Sequence, residues 1–340
     1  MGDIAKGVLG GAWAMLVGWI MPSGVNLAIF WLIIAPELRH VSSVARMRLA
    51  SGTSASVTLL VGSILAGLIL HALQNTLYRI LEGYMLWPRR LYQYGCARQL
   101  QVKRNLRDRA AFMRLERREQ DGSLRPEGAE QLAQLRANSR TAQLANRDRA
   151  RTAAQRAILQ EKLARYPVND EQVAPTRLGN AIRRLEEYGY DRYRLDTQVI
   201  WHELTGAAPD STRRQVELTR TRVDFFVALL YGHGAVALSG LVVLSASTHP
   251  AVHLALAAAC LTGLIPLWYR AAVSATDEWA AAVRALVNLG RKPLAESLGF
   301  SLPVTVAEER AMWTLVCRLS RLPYHERAAS LDQYRAQPPA

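Results

Sequence analysis

Four long stretches of the chain contain no Asp, Glu, Lys or Arg; they are residues 7–35, 55–73, 225–246 and 251–269. An α-helix needs about 20 predominantly apolar residues to cross the roughly 30 Å hydrocarbon core of a bilayer. Helices in the core of soluble proteins are usually shorter and carry polar residues on one face. The absence of charge therefore predicts an all-α integral membrane protein with four transmembrane helices and the lipid bilayer as its first partner.

Cysteine and the common catalytic motifs are also scarce. The three cysteines, Cys96, Cys260 and Cys317, are far apart in the sequence and indicate neither a disulfide framework nor a C-x-x-C site. The sequence contains no phosphate-binding glycine loop, no H-E-x-x-H and no G-x-S-x-G. Adjacent acidic residues such as Glu186 and Glu187 point to different faces of a helix. We therefore expect no enzymatic activity, no cofactor and no metal site.

Lysine occurs only four times, so arginine supplies nearly all of the positive charge. From Trp87 to Arg222 the sequence has 28 Lys and Arg against 17 Asp and Glu, a net charge of +11 out of the formal +14. Basic segments beside transmembrane helices tend to stay in the cytoplasm. This pattern predicts a cytoplasmic helical domain over residues 88–210 and a cytoplasmic helical tail over residues 290–340. We expect a bacterial inner-membrane location, with the N-terminus also inside.

The two pairs of spans differ in their connecting loops. Residues 1–87 hold the first pair, and parity places the loop over residues 36–54 outside. That loop contains three arginines, Arg39, Arg46 and Arg48. A short amphipathic helix lying at the interface would accommodate them. Residues 211–289 hold the second pair as a hairpin with cytoplasmic extensions, closed outside by the uncharged residues 247–250.

Pro22 and Asn26 are candidates for a pore or gate in the first span. Pro22 removes a backbone donor, and Gly24 follows two residues later. Irregular backbone at membrane depth must be buried in protein or line a wet cavity. Two interpretations are open: a tilted, proline-kinked span, or a functional broken helix. In either case Asn26 is placed to satisfy freed backbone groups or to face water.

Two histidines complete the pore or gate candidates. His233 lies inside the third span, where an ionisable side chain is by default a functional hypothesis. It can line a pathway, titrate near neutral pH or only hydrogen-bond a neighbouring helix. His71 lies where the second span meets the cytoplasmic interface, so boundary polarity is the simpler interpretation. Small residues recur along the spans and favour close helix packing, either within one subunit or between the subunits of a homo-oligomer.

Good helix formers fill residues 89–120 and 126–165, which predicts a long antiparallel helical hairpin with one narrow apolar seam. A further helix is expected over residues 175–188. Gly189 directly follows it and is a candidate for the left-handed residue that ends a helix. The basic domain is thus expected to be helical throughout.

Arginines and tyrosines alternate near the end of that domain. Four arginines, Arg183, Arg184, Arg192 and Arg194, surround three tyrosines, Tyr188, Tyr190 and Tyr193. Arginine neutralises phosphates and aromatic rings stack on bases, as single-stranded nucleic acids require. The basic surface therefore has three interpretations: it binds a nucleotide or oligonucleotide signal, it binds anionic lipid, or it is a solvated helical surface without a ligand.

Three short motifs carry a resemblance. Tyr188-Gly189-Tyr190-Asp191, Trp201-His202-Glu203-Leu204 and Val223-Asp224-Phe225 before a span form a pattern that resembles uncharacterised bacterial multi-span membrane proteins. The arrangement of paired spans around a basic helical domain is similar to membrane effectors of bacterial anti-phage defence, including the Hailong type. That similarity implies a channel gated by an oligonucleotide signal. We accordingly expect an oligomeric channel or pore-forming effector gated through the basic domain; the alternative is a membrane-anchored scaffold or sensor with no conducting path.

Overall fold

A computed structural model of the chain describes residues 11–40, 53–138, 143–144, 152–246, 251–323 and 326–336. These residues are predominantly helical, and no β-strand occurs among them. Four of their helices are long and apolar enough to cross a membrane. The prediction of an all-α chain with four such helices is thereby confirmed.

In the described part of the chain, the α-helices are, in order, α1 (Gly11–Ile34), α2 (Thr53–Ala72), α3 (Gln74–Glu82), α4 (Arg89–Gln120), α5 (Pro126–Ala137), α6 (Thr152–Ala164), α7 (Arg177–Glu186), α8 (Tyr188–Tyr193), α9 (Trp201–Ala207), α10 (Asp210–Ala246), α11 (Val252–Ser297) and α12 (Val306–Arg321). Short 3₁₀ turns lie at Glu37–His40, Asp170–Gln172 and Glu326–Tyr334. The chain divides into two compact units, one of Met1–Leu77 with Arg192–Ala340 and the other of Tyr78–Asp191.

Pro22 does not break α1. The α-helical segment Met21–Ile29 lies between two wider, π-helical segments, Leu16–Ile20 and Phe30–Ile34. The wider segment before Pro22 accommodates a residue that has no N–H to donate. The backbone stays right-handed and helical through Ile20, so the interruption that the sequence predicts is a local change of helical pitch and not an unwound segment.

Close contacts at glycines show how α1 and α10 pack. A methyl group on Gly18 would lie 3.2 Å from Cβ of Asp224, and one on Gly240 would lie 3.6 Å from Cδ1 of Ile34. Both pairs advance in the same direction along the two helices, which are therefore parallel. The predicted topology requires parallel helices here, because in it α1 and α10 both cross the membrane from the cytoplasmic side to the outside.

The packing of α2 against α1 is antiparallel. A methyl group on Gly67 would lie 2.8 Å from Cα of Ile20, and one on Gly24 would lie 3.3 Å from Oγ of Ser63. Glycine at these positions lets the two backbones approach closely, as small residues do in membrane helices. The helices α10 and α11 form the most extensive pairing of this unit.

In the unit Tyr78–Asp191, α4 packs against α5 and α6 through two small apolar clusters. Phe112, Leu115 and Leu132 form one; Leu106, Leu159 and Tyr166 form the other. The narrow seam is as predicted, but the second arm of the hairpin is not one continuous helix. Its first part ends at Ala137, since Asn138 is extended with ψ of 97°. Residues 139–142 and 145–151 lie outside the described part of the chain.

The prediction of a left-handed Gly189 is wrong. Helix α7 begins where Oγ1 of Thr176 accepts a hydrogen bond from the Gly179 amide at 2.9 Å, and Glu187 follows its end with right-handed backbone. Gly189 lies inside the short helix α8. The left-handed residue comes later, at Arg194 with φ of 62°. A residue with a side chain, and not the glycine, therefore follows the end of α8.

Candidate functional site

The carboxamide of Asn26 is buried between α1 and α10. Its Nδ2 donates to the carbonyl oxygen of Pro22 at 2.7 Å, so the asparagine bonds to the turn that proline interrupts. Ser23 does the same one turn earlier, where its hydroxyl donates to the Trp19 carbonyl at 2.7 Å. Gly232 on α10 leaves the space that the carboxamide occupies, because a methyl group there would overlap Asn26. Oδ1 of Asn26 has no hydrogen-bond partner among the described residues.

His233 lies one residue further along α10 and is buried, with 3% of its surface exposed. Its imidazole contacts the Trp268 indole of α11 edge to face, with the ring centres 5.8 Å apart. The Leu229 carbonyl of its own helix lies beside the imidazole, but Nδ1 has no well-aligned hydrogen bond. Nε1 of Trp268 is buried without a partner as well. The His233 imidazole, which can accept a hydrogen bond, and the Trp268 indole, which can donate one, are thus in contact without a hydrogen bond between them.

His71 is placed differently from the simple boundary residue that the sequence suggests. It lies near the end of α2 with its ring 6.1 Å from the Trp19 ring of α1, again edge to face. Its Nδ1 is buried and, in the part of the chain that the structure describes, has no hydrogen-bond partner. His71 is therefore a second half-buried imidazole held against an indole.

Among the described residues, four buried polar atoms of the apolar helices have no well-aligned hydrogen-bond partner: Oδ1 of Asn26, Nδ1 of His71, Nδ1 of His233 and Nε1 of Trp268. Unpartnered buried polar atoms are rare in native proteins and call for water, an ion or a ligand. Lipid cannot satisfy them, because hydrocarbon offers no hydrogen bonds. The four atoms belong to two imidazole–indole contacts, His71 with Trp19 and His233 with Trp268, and to the Asn26 carboxamide beside Gly232.

Asp224 is a buried carboxylate that the sequence did not single out for a role of its own. It lies on α10 just before the uncharged stretch and packs on Gly18 of α1, with Thr221 one turn earlier. Arg220 approaches it at 4.0 Å. In the sequence, Asp224 is a single charged residue at the edge of a predicted span. A functional acid and a residue that only marks the membrane boundary give the same pattern at that position.

The arginines predicted to bind anions are paired in the unit Tyr78–Asp191. Nε of Arg183 lies 3.2 Å from Glu187, and Nη1 of Arg184 lies 2.8 Å from Asp191. Burial raises the pKa of the Glu187 carboxyl, and Arg183 opposes that shift. Tyr188 is half-buried, whereas Tyr190 is exposed. A polyanion would therefore compete with carboxylates already in contact with both arginines.

The remaining candidates belong to the other unit. The Tyr193 ring is covered by the Arg291 guanidinium, 4.4 Å from the ring centre, and its hydroxyl donates to Asn288 Oδ1 at 3.1 Å. The side chains of Arg192 and Arg194 are exposed. One face of the Tyr193 ring is thus occupied by Arg291 and its hydroxyl by Asn288, both contacts within the protein.

Arg291 belongs to a buried polar cluster that links α11 to α12. Its Nη1 donates to Oε1 of Glu309 at 2.6 Å, and the Trp313 indole donates to the same oxygen at 3.2 Å. Glu309 has 3% of its surface exposed. Helix α12 is positioned for this contact by the predicted cap at its start, where Oγ1 of Thr305 accepts from the Glu308 amide at 3.3 Å. Sequence reasoning found the cap but not the ion pair, since the pairing is long-range.

No group of three or more potential metal ligands occurs among the residues that the structure describes. Comparisons with protein families, with curated proteins and with solved structures find no match to the chain.

Proposed function

We propose that the chain is an oligomeric channel or pore-forming effector of a bacterial inner membrane, gated through its basic, cytoplasmic helical part. The observation that carries the proposal is the set of unpartnered polar atoms at Asn26, His71, His233 and Trp268. In hydrocarbon such atoms need ordered water or a bound polar species. A hydrated interior beside α10 provides it, and hydration of the interior is the first requirement for conduction.

The oligomeric part of the proposal is supported by the outer face of α2. Its exposed apolar side chains include Val57, Leu60, Val61, Leu65 and Ile69. Lipid covers such a face in a monomer, and a second copy covers it in an assembly. Because α2 is the least buried of the four apolar helices, we propose that it lies at the subunit boundary.

Coupling between the basic part and the apolar helices is supported by two helices that each continue beyond their apolar stretch. Helix α10 runs without a break from Asp210 to Ala246, and α11 runs from Val252 to Ser297. The Arg291–Glu309 pair attaches α12 to the second of these helices. A movement of α12 is thereby passed to a helix that also carries Trp268, the neighbour of His233.

The gating signal that we propose is a nucleotide or oligonucleotide, in the setting of anti-phage defence, with anionic lipid as the competing ligand. Its support is the net charge of +11 from Trp87 to Arg222, which attracts polyanions. Since Arg183 and Arg184 are already in ion pairs, the signal would first contact the exposed Arg192. Binding would weaken steeply with added salt.

A scaffold or sensor without a conducting path is the second candidate, and the contact between Asn26 and Gly232 favours it. There the carboxamide donor is satisfied within α1, and glycine fits closely around it. Such a fit is typical of polar packing between membrane helices.

Planar-bilayer recordings of the purified full chain separate the two candidates. The channel proposal predicts discrete conductance steps, with an open fraction that changes when single-stranded oligonucleotides are added at low salt. Recordings without conductance, from protein that is shown to be inserted and folded, would support the scaffold. Conductance that does not respond to oligonucleotides but changes with anionic lipid content would show that the gating ligand is anionic lipid.

A further inference from the structure

Apolar side chains are exposed where the chain enters α4. We call this set the α4 entry patch: Tyr84, Met85, Leu86, Trp87, Leu91 and Tyr94, all of them exposed. The most exposed is Leu86, at 78%. Exposed apolar residues are ordinary singly, but a contiguous set beside basic residues marks an interaction surface.

The patch is held in place by its own unit. Gly83 has φ of 95° and leaves no room for a side chain against Pro175. The same proline packs on Gly95 of α4, where a methyl group would lie 2.6 Å from its Cβ. The Thr176 hydroxyl donates to the Glu82 carbonyl at 3.2 Å. The segment between α3 and α4 is therefore fixed on one side and open on the other.

Met85, Leu86 and Trp87 present apolar side chains on the exposed side of this segment. The one donor of the Trp87 indole is used within the chain, since Nε1 donates to the Ile80 carbonyl at 3.0 Å. Leu86 has a left-handed backbone with φ of 61°. A residue with a side chain keeps that conformation only where its surroundings impose it. The fold thus holds Leu86 outward at an energetic cost.

Basic residues share the exposed face. Arg90, Leu91, Tyr94 and Arg98 follow one another at helical spacing, so they lie on the same exposed side of α4. Gly95 borders this side and packs on Pro175. Arg89, in the first turn of the helix, is also exposed. Among the described residues, no carboxylate is in contact with these three arginines. Helices that mix arginine with aromatic and aliphatic residues in this way lie at membrane interfaces.

We propose that the α4 entry patch docks into the headgroup region of an anionic bilayer, with Arg89, Arg90 and Arg98 contacting lipid phosphates. Aromatic rings favour this depth, and basic side chains are attracted to anionic headgroups. The bilayer is the occupant because the chain connects the patch closely to α2. The apolar part of α2 ends at Ala72, and the 12 mostly helical residues from there to Tyr84 rise about 18 Å, at about 1.5 Å per residue. This short connection keeps the patch near the membrane surface.

The test places an environment-sensitive fluorophore on Leu86→Cys in the full chain, with Cys96, Cys260 and Cys317 replaced by alanine. The protein is reconstituted in vesicles of phosphatidylcholine alone and of phosphatidylcholine with phosphatidylglycerol. We expect strong quenching by brominated lipid in the anionic vesicles and little in the neutral ones. A label on Ser123→Cys, at the far end of α4, is the matched position that stays in water.

Two double variants test the contribution of the arginine charges. Each arginine near an anionic surface contributes about five-fold to binding, so Arg89→Gln with Arg90→Gln should reduce the lipid quenching of the label to the value in neutral vesicles. The matched variant, Arg117→Gln with Arg118→Gln, removes the same charge from the other end of α4 and should leave it unchanged.

Two outcomes would overturn the proposal. Equal quenching in neutral and anionic vesicles would show that the patch does not recognise anionic headgroups. A label that is water-exposed in both, or shielded only when the chain is crosslinked to a second copy, would assign the patch to a protein partner. Should the cysteine-free chain fail to fold, hydrogen exchange over residues 84–94 of the unmodified chain in the two lipids makes the same decision, with slower exchange in anionic lipid expected.

Discussion

Gly232 and the carboxamide of Asn26 occupy adjoining space, so that a methyl group on Gly232 would overlap the Asn26 side chain. Gly232→Ala should therefore destabilise the packing of α1 on α10, by about 1–3 kcal/mol as for overpacking elsewhere. Gly234→Ala is the matched control two residues away, where a methyl group meets only Ile265 at 3.8 Å. Thermal unfolding of both variants in mild detergent measures the difference; equal stability would show that Asn26 moves aside.

The second prediction concerns the contact between His233 and Trp268. If this pair borders a hydrated path, His233→Leu should alter single-channel conductance or its dependence on pH between 5 and 8, with assembly intact. Ser239→Ala is the control on the same helix, since this exposed hydroxyl donates only to the Ala235 carbonyl at 2.8 Å. Currents that are identical in wild type and His233→Leu throughout this pH range would assign the imidazole to packing.

Glu82 gives the unit Tyr78–Asp191 a pH dependence. Burial and the nearby Glu186 raise the pKa of its carboxyl to about 7, against the opposing effect of Arg79 and Arg183. The unfolded chain releases this proton near its ordinary value of 4.5. The folded state therefore binds more protons between these values, and stability should fall as the pH rises from 5 to 7 and then level off.

Unfolding temperatures at pH 5, 6, 7 and 8 test this dependence. Glu82→Gln should flatten the profile and stabilise the protein at pH 8. Glu119→Gln is the control, because Arg136 lowers the pKa of that exposed carboxyl and it stays ionised across the same range. A wild-type profile that rises from pH 5 to 7 would contradict the assignment of Glu82.

The fourth prediction concerns the buried ion pair of Glu309 and Arg291. Glu309→Gln leaves the arginine charge without its partner and should cost about 3 kcal/mol, the usual effect of breaking a buried pair. Glu308→Gln changes the neighbouring, exposed carboxylate and should cost only about 0.5 kcal/mol, the usual range for an exposed substitution. Chemical unfolding followed by circular dichroism measures the free energy of unfolding of each variant; similar losses for the two variants would show that the pair contributes little.

Much of the helical architecture was predictable from local patterns. The absence of charge located the four apolar helices, and glycine or proline marked the ends of α4 and α12. These signals work because a bilayer and a helix terminus each impose a local requirement on the sequence. Pro22 was misleading in part, since a π-helical segment beside it absorbs the missing hydrogen bond without unwinding the helix.

The site was less predictable, because its contacts join residues distant in sequence. The sequence predicted His233 and Asn26 as candidates from their location alone, but neither Trp268 nor Gly232 as their neighbours. The reverse holds for Arg183 and Arg184, whose charges suggested a ligand although Glu187 and Asp191 already pair with them. Counting charges along a chain does not show which of them are neutralised in the fold.

The length of α11 has a mechanical consequence. Its 46 residues include Pro266 and Pro293, and a straight helix of that length is about 69 Å long, so a rigid tilt of about 5° would displace one end by about 6 Å relative to the other. The Arg291–Glu309 pair is attached close to one end of this rod, where the lever arm is longest. A pull on α12 that tilted α11 as a rigid body would therefore move the opposite end by more than the diameter of a water molecule, whereas bending at Pro266 would absorb part of that displacement.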